Sequence, residues 1–152
     1  MRFIIGRNGF NVLVRSDQGD KIVFENVSRF KSLRLAWNYL ISDFGFRYSA
    51  DIFGENISIS PGINYYKLAS ENEIISKIVY PEISKIIVGN SEGMRIEFTE
   101  KNAYSFFYQS KIIGTLRKDR MILPTYYELT TNESRKELLI SMLAVAVLKV
   151  AA

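Results

Sequence analysis

The chain ends on ESRKELLISMLAVAVLKVAA, Glu133 to Ala152, and the reading of this stretch decides the fold. From Leu138 to Leu148 every residue is apolar except Ser141. As a helix this run spans roughly 16 Å, about half the hydrocarbon core of a bilayer, which is too short for a transmembrane anchor. An interfacial helix would show a polar face lined with Lys or Arg, yet between Glu137 and Lys149 only Ser141 is polar. A helix without a polar face needs apolar surroundings on all sides, and the rest of the chain must supply them. Ala144 and Ala146 keep the helix slim, while each buried Leu, Ile, Val or Met contributes about 1.5–3 kcal/mol. Just upstream, TTNE places Thr130 three residues before Glu133, a capping-box spacing. It predicts a helix opening near Thr131 and a core helix at about 131–150.

The preceding residues read as strands punctuated by turns. RFIIG and FNVLVR flank RNG, where Asn8-Gly9 is a hairpin signal, and SDQGD separates FNVLVR from KIVFEN. Further strand-length runs are FRYSADIF, INYYKLA, EIISKIVY, EISKIIVG, MRIEFTE, AYSFFYQ, KIIGTLRK and PTYYELT. Between them, RFKSLRLAWNYLISDFG fits both a helical and an alternating period over residues 29–44. The alternation accounts for Leu35 and Tyr39 and no capping signal opens a helix, so a strand is expected there, with the helix kept as the alternative. The sum is about twelve strands without intervening helices, the pattern of an antiparallel barrel or sandwich. With the apolar helix, the expected fold is mostly β: a closed antiparallel barrel of about twelve strands around a buried C-terminal helix. A length of 152 residues fits a single domain.

Composition agrees. The hydrophobic fraction is 47%, and 10 Phe and 9 Tyr tilt the chain toward β structure. The stretch MRFIIG is far short of a signal-peptide core, so the expected location is the cytoplasm. The absence of Cys and His removes disulfides, thiol nucleophiles, His-based triads and the common zinc sites. Neither a cofactor nor a metal is expected.

The run of strands, KIIGTLRKD followed by PTYYELTTNE, and above all RKELLISMLAVAVLKV together resemble the tubby C-terminal-like superfamily, which includes LURP-one-related proteins and phospholipid scramblases. The resemblance covers the whole chain and is architectural. It implies a twelve-stranded barrel threaded by the terminal helix, phosphoinositide binding through basic residues, and peripheral association with a membrane. The chain has no calcium-binding loop and no Cys cluster of the scramblase type.

Net charge is +4. Residues 1–34 and 101–120 are net basic, while 51–100 are net acidic. The candidate anion- or lipid-binding residues are Lys111, Arg117, Lys118 and Arg120, in and just after one strand. Alternation puts Lys111 and Arg117 on one face with Ile113 and Thr115, and turns Ile112, Gly114 and Leu116 inward.

Other motifs carry less. Ser28 to Lys31 has S-x-x-K spacing without its companion motifs, Asp43 to Gly45 reads DFG without other kinase elements, and Glu71 and Glu73 would share one face of a strand. No catalytic residue emerges. The aromatic groups NYY, YSFFY and TYY suit core packing first and stacking on single-stranded nucleic acid second.

The leading expectation is therefore a non-enzymatic domain recognising anionic phospholipid, or a protein partner at the membrane surface. A small-ligand binder or enzyme, and a single-stranded nucleic-acid module, are the alternatives, with nucleic acid the less favoured partner. Oligomeric state is left open by the sequence.

Overall fold

A ring of twelve strands is too wide for its own side chains to fill, so its interior needs a second element. The computed structural model describes residues 1–27, 47–62, 64–71, 73–79, 85–89, 91–100, 103–119 and 126–151. Among them run β1 (Arg2–Asn8), β2 (Asn11–Ser16), β3 (Lys21–Asn26), β4 (Tyr48–Ile52), β5 (Glu55–Pro61) and β6 (Tyr65–Ser70). These are followed by β7 (Glu73–Val79), β8 (Lys85–Val88), β9 (Ser91–Glu100), β10 (Ala103–Tyr108), β11 (Lys111–Asp119) and β12 (Tyr126–Thr131). Each strand pairs antiparallel with its sequence neighbour, and β12 closes on β1 through Phe3 opposite Leu129 and Ile5 opposite Tyr127. Closure leaves no exposed sheet edge.

The helix α1 (Lys136–Ala151) fills the ring. It touches β1, β2 and β12 on one side and β7 and β8 on the other, and these groups lie across the ring from each other. Every residue from Leu138 to Leu148 is buried. The strands supply the matching surface by alternation, with Ile5, Val14, Phe24, Ile52, Ile59, Leu68, Ile78, Phe106 and Leu116 among the inward side chains. Gly114 brings the wall close to the helix, because a Cβ there would stand 2.7 Å from Met142 Sδ.

The polar side chain within the buried run of α1 is satisfied. Ser141 Oγ donates to the Glu137 carbonyl at 2.7 Å and lies 2.6 Å from Ser76 Oγ. A hydroxyl has one proton, so Ser76 is the donor to Ser141. At the other end, the Arg7 guanidinium of β1 donates to the carbonyls of Val150 and Ala151 at 3.0 and 2.8 Å. These are carbonyls of the helix's last turn, some of which have no partner within the helix.

Several sequence expectations need correction. The helix opens at Lys136 instead of near Thr131, because Thr131 completes β12 opposite Gly114. Its hydroxyl donates to the Ile113 carbonyl at 2.6 Å and accepts the Glu133 N–H at 3.0 Å, which ties the strand end to the connection. Glu133 then turns the chain by accepting the Arg135 N–H and its side-chain Nε, at 3.0 and 2.8 Å. The Arg135 guanidinium and backbone N–H donors hold the Glu133 carboxyl down to about 2.

The strand β5 was not anticipated, because Glu55–Pro61 alternates Ile57 and Ile59 with small polar residues after an unusual turn. That turn is Phe53-Gly54, with positive φ at both positions (52° and 81°), as a two-residue hairpin of the I′ kind requires. The expected strand over residues 29–44 lies outside the described residues, as do Ser28 to Lys31 and Asp43 to Gly45; the ring closes there through β3 directly against β4.

Candidate functional site

With α1 in the lumen, the surfaces left open to a ligand are the two mouths and the outer wall. The mouth at the helix N-terminus gathers carboxylates: Asp17, Asp20, Glu55, Glu71 and Glu73 stand in the turns and strand ends there, and Glu137 in the first turn of α1. It holds a groove of about 630 Å³ lined by Glu55, Glu71, Glu73, Lys136 and Glu137 among others. Lys136 Nζ lies 2.8 Å from Glu55 Oε1, and this contact lowers the Glu55 pKa. A carboxyl held ionised in this way is no proton donor near neutral pH. Glu71 and Glu73 do not share a strand face; Glu71 sits in the turn after β6 with φ 52°, and Glu73 opens β7. Among the described residues no group of Asp or Glu has the arrangement of a metal site.

The mouth at the helix C-terminus is different. Around its rim, β9, β10, β11, β12 and β1 bring Phe98, Tyr104, Lys118, Tyr127 and Arg7 into consecutive inward-phase positions. Lys149 rises into the same arc from the last turn of α1, its Nζ 4.3 Å from the centre of the Tyr104 ring. Tyr104 in turn meets Phe98 edge-on, with centroids 5.5 Å apart. Lys118 Nζ lies 5.9 Å from the Tyr127 ring centre. Phe98 is 62% exposed, and Phe10, in the β1–β2 turn at the same mouth, is 50% exposed. Burial pushes the Lys149 ammonium below the ordinary lysine range, so an anion beside it would restore lost solvation. Large exposed rings beside cations at one end of a barrel suit an interface that is apolar at one depth and anionic at another.

The four residues singled out in the sequence do not come together. Lys111 belongs to the opposite mouth, about 20 Å along β11 from Arg117 at the usual rise per residue. An irregularity opposite Phe106 and Phe107 inserts Ile113 as an extra residue in β11. The bulge reverses the phase of what precedes it: Ile112 is 60% exposed instead of inward, and Lys111 no longer shares a face with Arg117. Arg117 faces outward opposite Glu128, while Lys118 faces the rim opposite Tyr127. Arg120 lies outside the described residues. Lys118 therefore belongs to the rim, joined by Lys149, Arg7, Phe98 and Phe10, which come from four other places in the chain. Sequence alternation around Lys118 was the available signal for its phase; nothing local links it to Lys149.

Among the described residues no helix is long and apolar enough to cross a membrane. No family model, curated protein or solved structure matches the chain.

Proposed function

We propose that the protein is a non-enzymatic binding domain that docks the rim at the C-terminal end of α1 onto an anionic lipid surface. The observation that carries this reading is the exposure of Phe98 and Phe10 at the same mouth as Lys118 and Lys149, in a barrel whose lumen is filled. The rings would enter the headgroup boundary and the ammonium groups would meet phosphates, each basic residue near such a surface adding about 1 kcal/mol. The resemblance to tubby-like proteins supports the same class of ligand. The filled lumen weighs against a small-ligand binder, which needs a concave apolar pocket with convergent polar groups.

Co-sedimentation with vesicles tests the reading. Pelleting should rise with the anionic lipid fraction, fall with salt, and drop several-fold in Phe98→Ala and Lys118→Ala. Equal pelleting with neutral vesicles, or no pelleting at low salt, would remove the proposal.

A further inference from the structure

Residues 51–100 are net acidic, yet all their Lys and Arg residues, Lys67, Lys77, Lys85 and Arg95, fall on adjacent strands of one wall. Four of the eight carboxylates of this segment lie elsewhere: Asp51, Glu55, Glu71 and Glu73 stand toward the mouth at the helix N-terminus. The strand registers make the cations face one another. Lys67 of β6 stands directly opposite Lys77 of β7, and Lys85 of β8 directly opposite Arg95 of β9. Like charges at directly opposed positions repel across a sheet. A ligand of opposite charge would relieve that repulsion.

Two aromatic rings frame the cations. Lys77 Nζ lies 5.2 Å from the centre of the Tyr65 ring, and Arg95 Cζ lies 5.1 Å from that of Phe107. Both rings are half-buried, leaving ring surface open to solvent. Among the described residues of these strands, Glu97 pairs with Arg95 at 2.8 Å, one carboxylate against four cations. A surface groove of about 400 Å³ runs beside Lys85, Arg95 and Phe107. The two cation pairs are offset by two strands and by two residues along the strands, which places them about 12 Å apart. That separation suits successive charges on a polymer better than one phosphate group.

We infer that the outer wall of β6–β10 binds the backbone of a single-stranded nucleic acid, with the Lys67–Lys77 and Lys85–Arg95 pairs contacting phosphates and Tyr65 and Phe107 offering faces for bases to stack. Flexible cations interleaved with rings are the general chemistry of single-strand platforms, and such a surface is tolerant of sequence. A run of Asp and Glu would satisfy the charges but brings no aromatic groups to stack on the rings. The strip lies on the wall, apart from the rim proposed for lipid, so either surface can fail without the other.

The test is fluorescence anisotropy of a labelled oligothymidylate, without lipid, across a salt series. Binding should weaken with salt, the logarithm of affinity falling with a slope of about −3 for four phosphate contacts at roughly 0.7 each. Lys77→Gln/Arg95→Gln should flatten the slope by about 1.4, and Phe107→Ala should weaken binding at every salt concentration with the slope unchanged. Thermal melts should show both variants folded, since the glutamines relieve like-charge opposition. Lys67→Gln/Lys85→Gln gives an independent reading of the slope should the first pair fold poorly. No binding at low salt, an unchanged slope in both double variants, or displacement by polyglutamate as effective as by unlabelled oligonucleotide would overturn the inference.

Discussion

Ser76 Oγ of β7 donates a 2.6 Å hydrogen bond to Ser141 Oγ of α1, linking the wall to the core helix. Ser141 donates its own hydrogen bond to the Glu137 carbonyl one turn back. The two hydroxyls are fully buried, so neither has water as an alternative. The bond fixes the rotation of a helix that is otherwise nearly uniform around its circumference.

The consequence is an asymmetry between the two serines. Ser141→Ala leaves the Ser76 hydroxyl buried without an acceptor and should cost about 1–3 kcal/mol in urea denaturation. Ser76→Ala leaves Ser141 its bond to Glu137 and should cost less. The double variant removes both groups together and should cost less than the sum. Strict additivity would show that the pair is not coupled.

Arg7 does for the helix end what these serines do for its middle. Two charge-assisted hydrogen bonds from one guanidinium hold the last carbonyls of α1, at the negative end of its dipole. Arg7→Ala should lower stability by about 1–3 kcal/mol. Arg7→Lys should recover part of this, because an ammonium keeps the charge and loses the two-pronged geometry. A melting temperature for Arg7→Lys no higher than that of Arg7→Ala would mean that charge contributes nothing at this end.

The barrel was legible because its two signals are non-local in effect but local in pattern: strand-length apolar runs, and one helix without a polar face. What local pattern missed has specific causes. Strand β5 hides because Ile57 and Ile59 are its inward apolar residues among Ser and Asn, and because Phe53 takes a conformation usually left to Gly or Asn. The helix start was displaced because Thr131 hydrogen-bonds across to Ile113, a partner no sequence spacing reveals. Lys111 parts from Arg117 because β11 carries them to opposite mouths and because a single inserted residue, Ile113, reverses strand phase between them. The wall strip was invisible for the opposite reason: Lys67, Lys77, Lys85 and Arg95 lie in a segment that sums to negative charge, and only register brings them together.

The central helix should be indispensable. Leu143 is fully buried midway along α1, and Leu143→Asp would place a carboxylate where it must neutralise or withdraw the helix. The expected loss exceeds 4 kcal/mol, enough to abolish a cooperative melt. Deletion from Asn132 onward should leave no stable domain, because inward side chains from the whole ring lose their common partner. A truncated chain that remains soluble and melts cooperatively would show that the strands hold a core without α1.

Lys149 invites the opposite expectation, that a cation so near the helix end has reached solvent and can be removed freely. Its position contradicts this: the side chain is part-buried, and the ammonium sits over the Tyr104 ring. The stem packs while the head is partly desolvated, so Lys149→Ala should cost on the order of 1 kcal/mol in lost packing and cation–π contact. Burial lowers the folded-state pKa below the ordinary value of 10.5, so the unfolded chain holds this proton more tightly. The penalty for keeping the ammonium charged is therefore fully present below the folded pKa and fades as pH rises from there toward 10.5. Over that window the wild type should gain stability relative to Lys149→Met, which keeps the stem and has no proton to lose. Denaturant titrations of both proteins at several alkaline pH values would measure it. A difference that stays flat across the window, or moves in favour of Lys149→Met, would show that the ammonium is fully solvated at the rim.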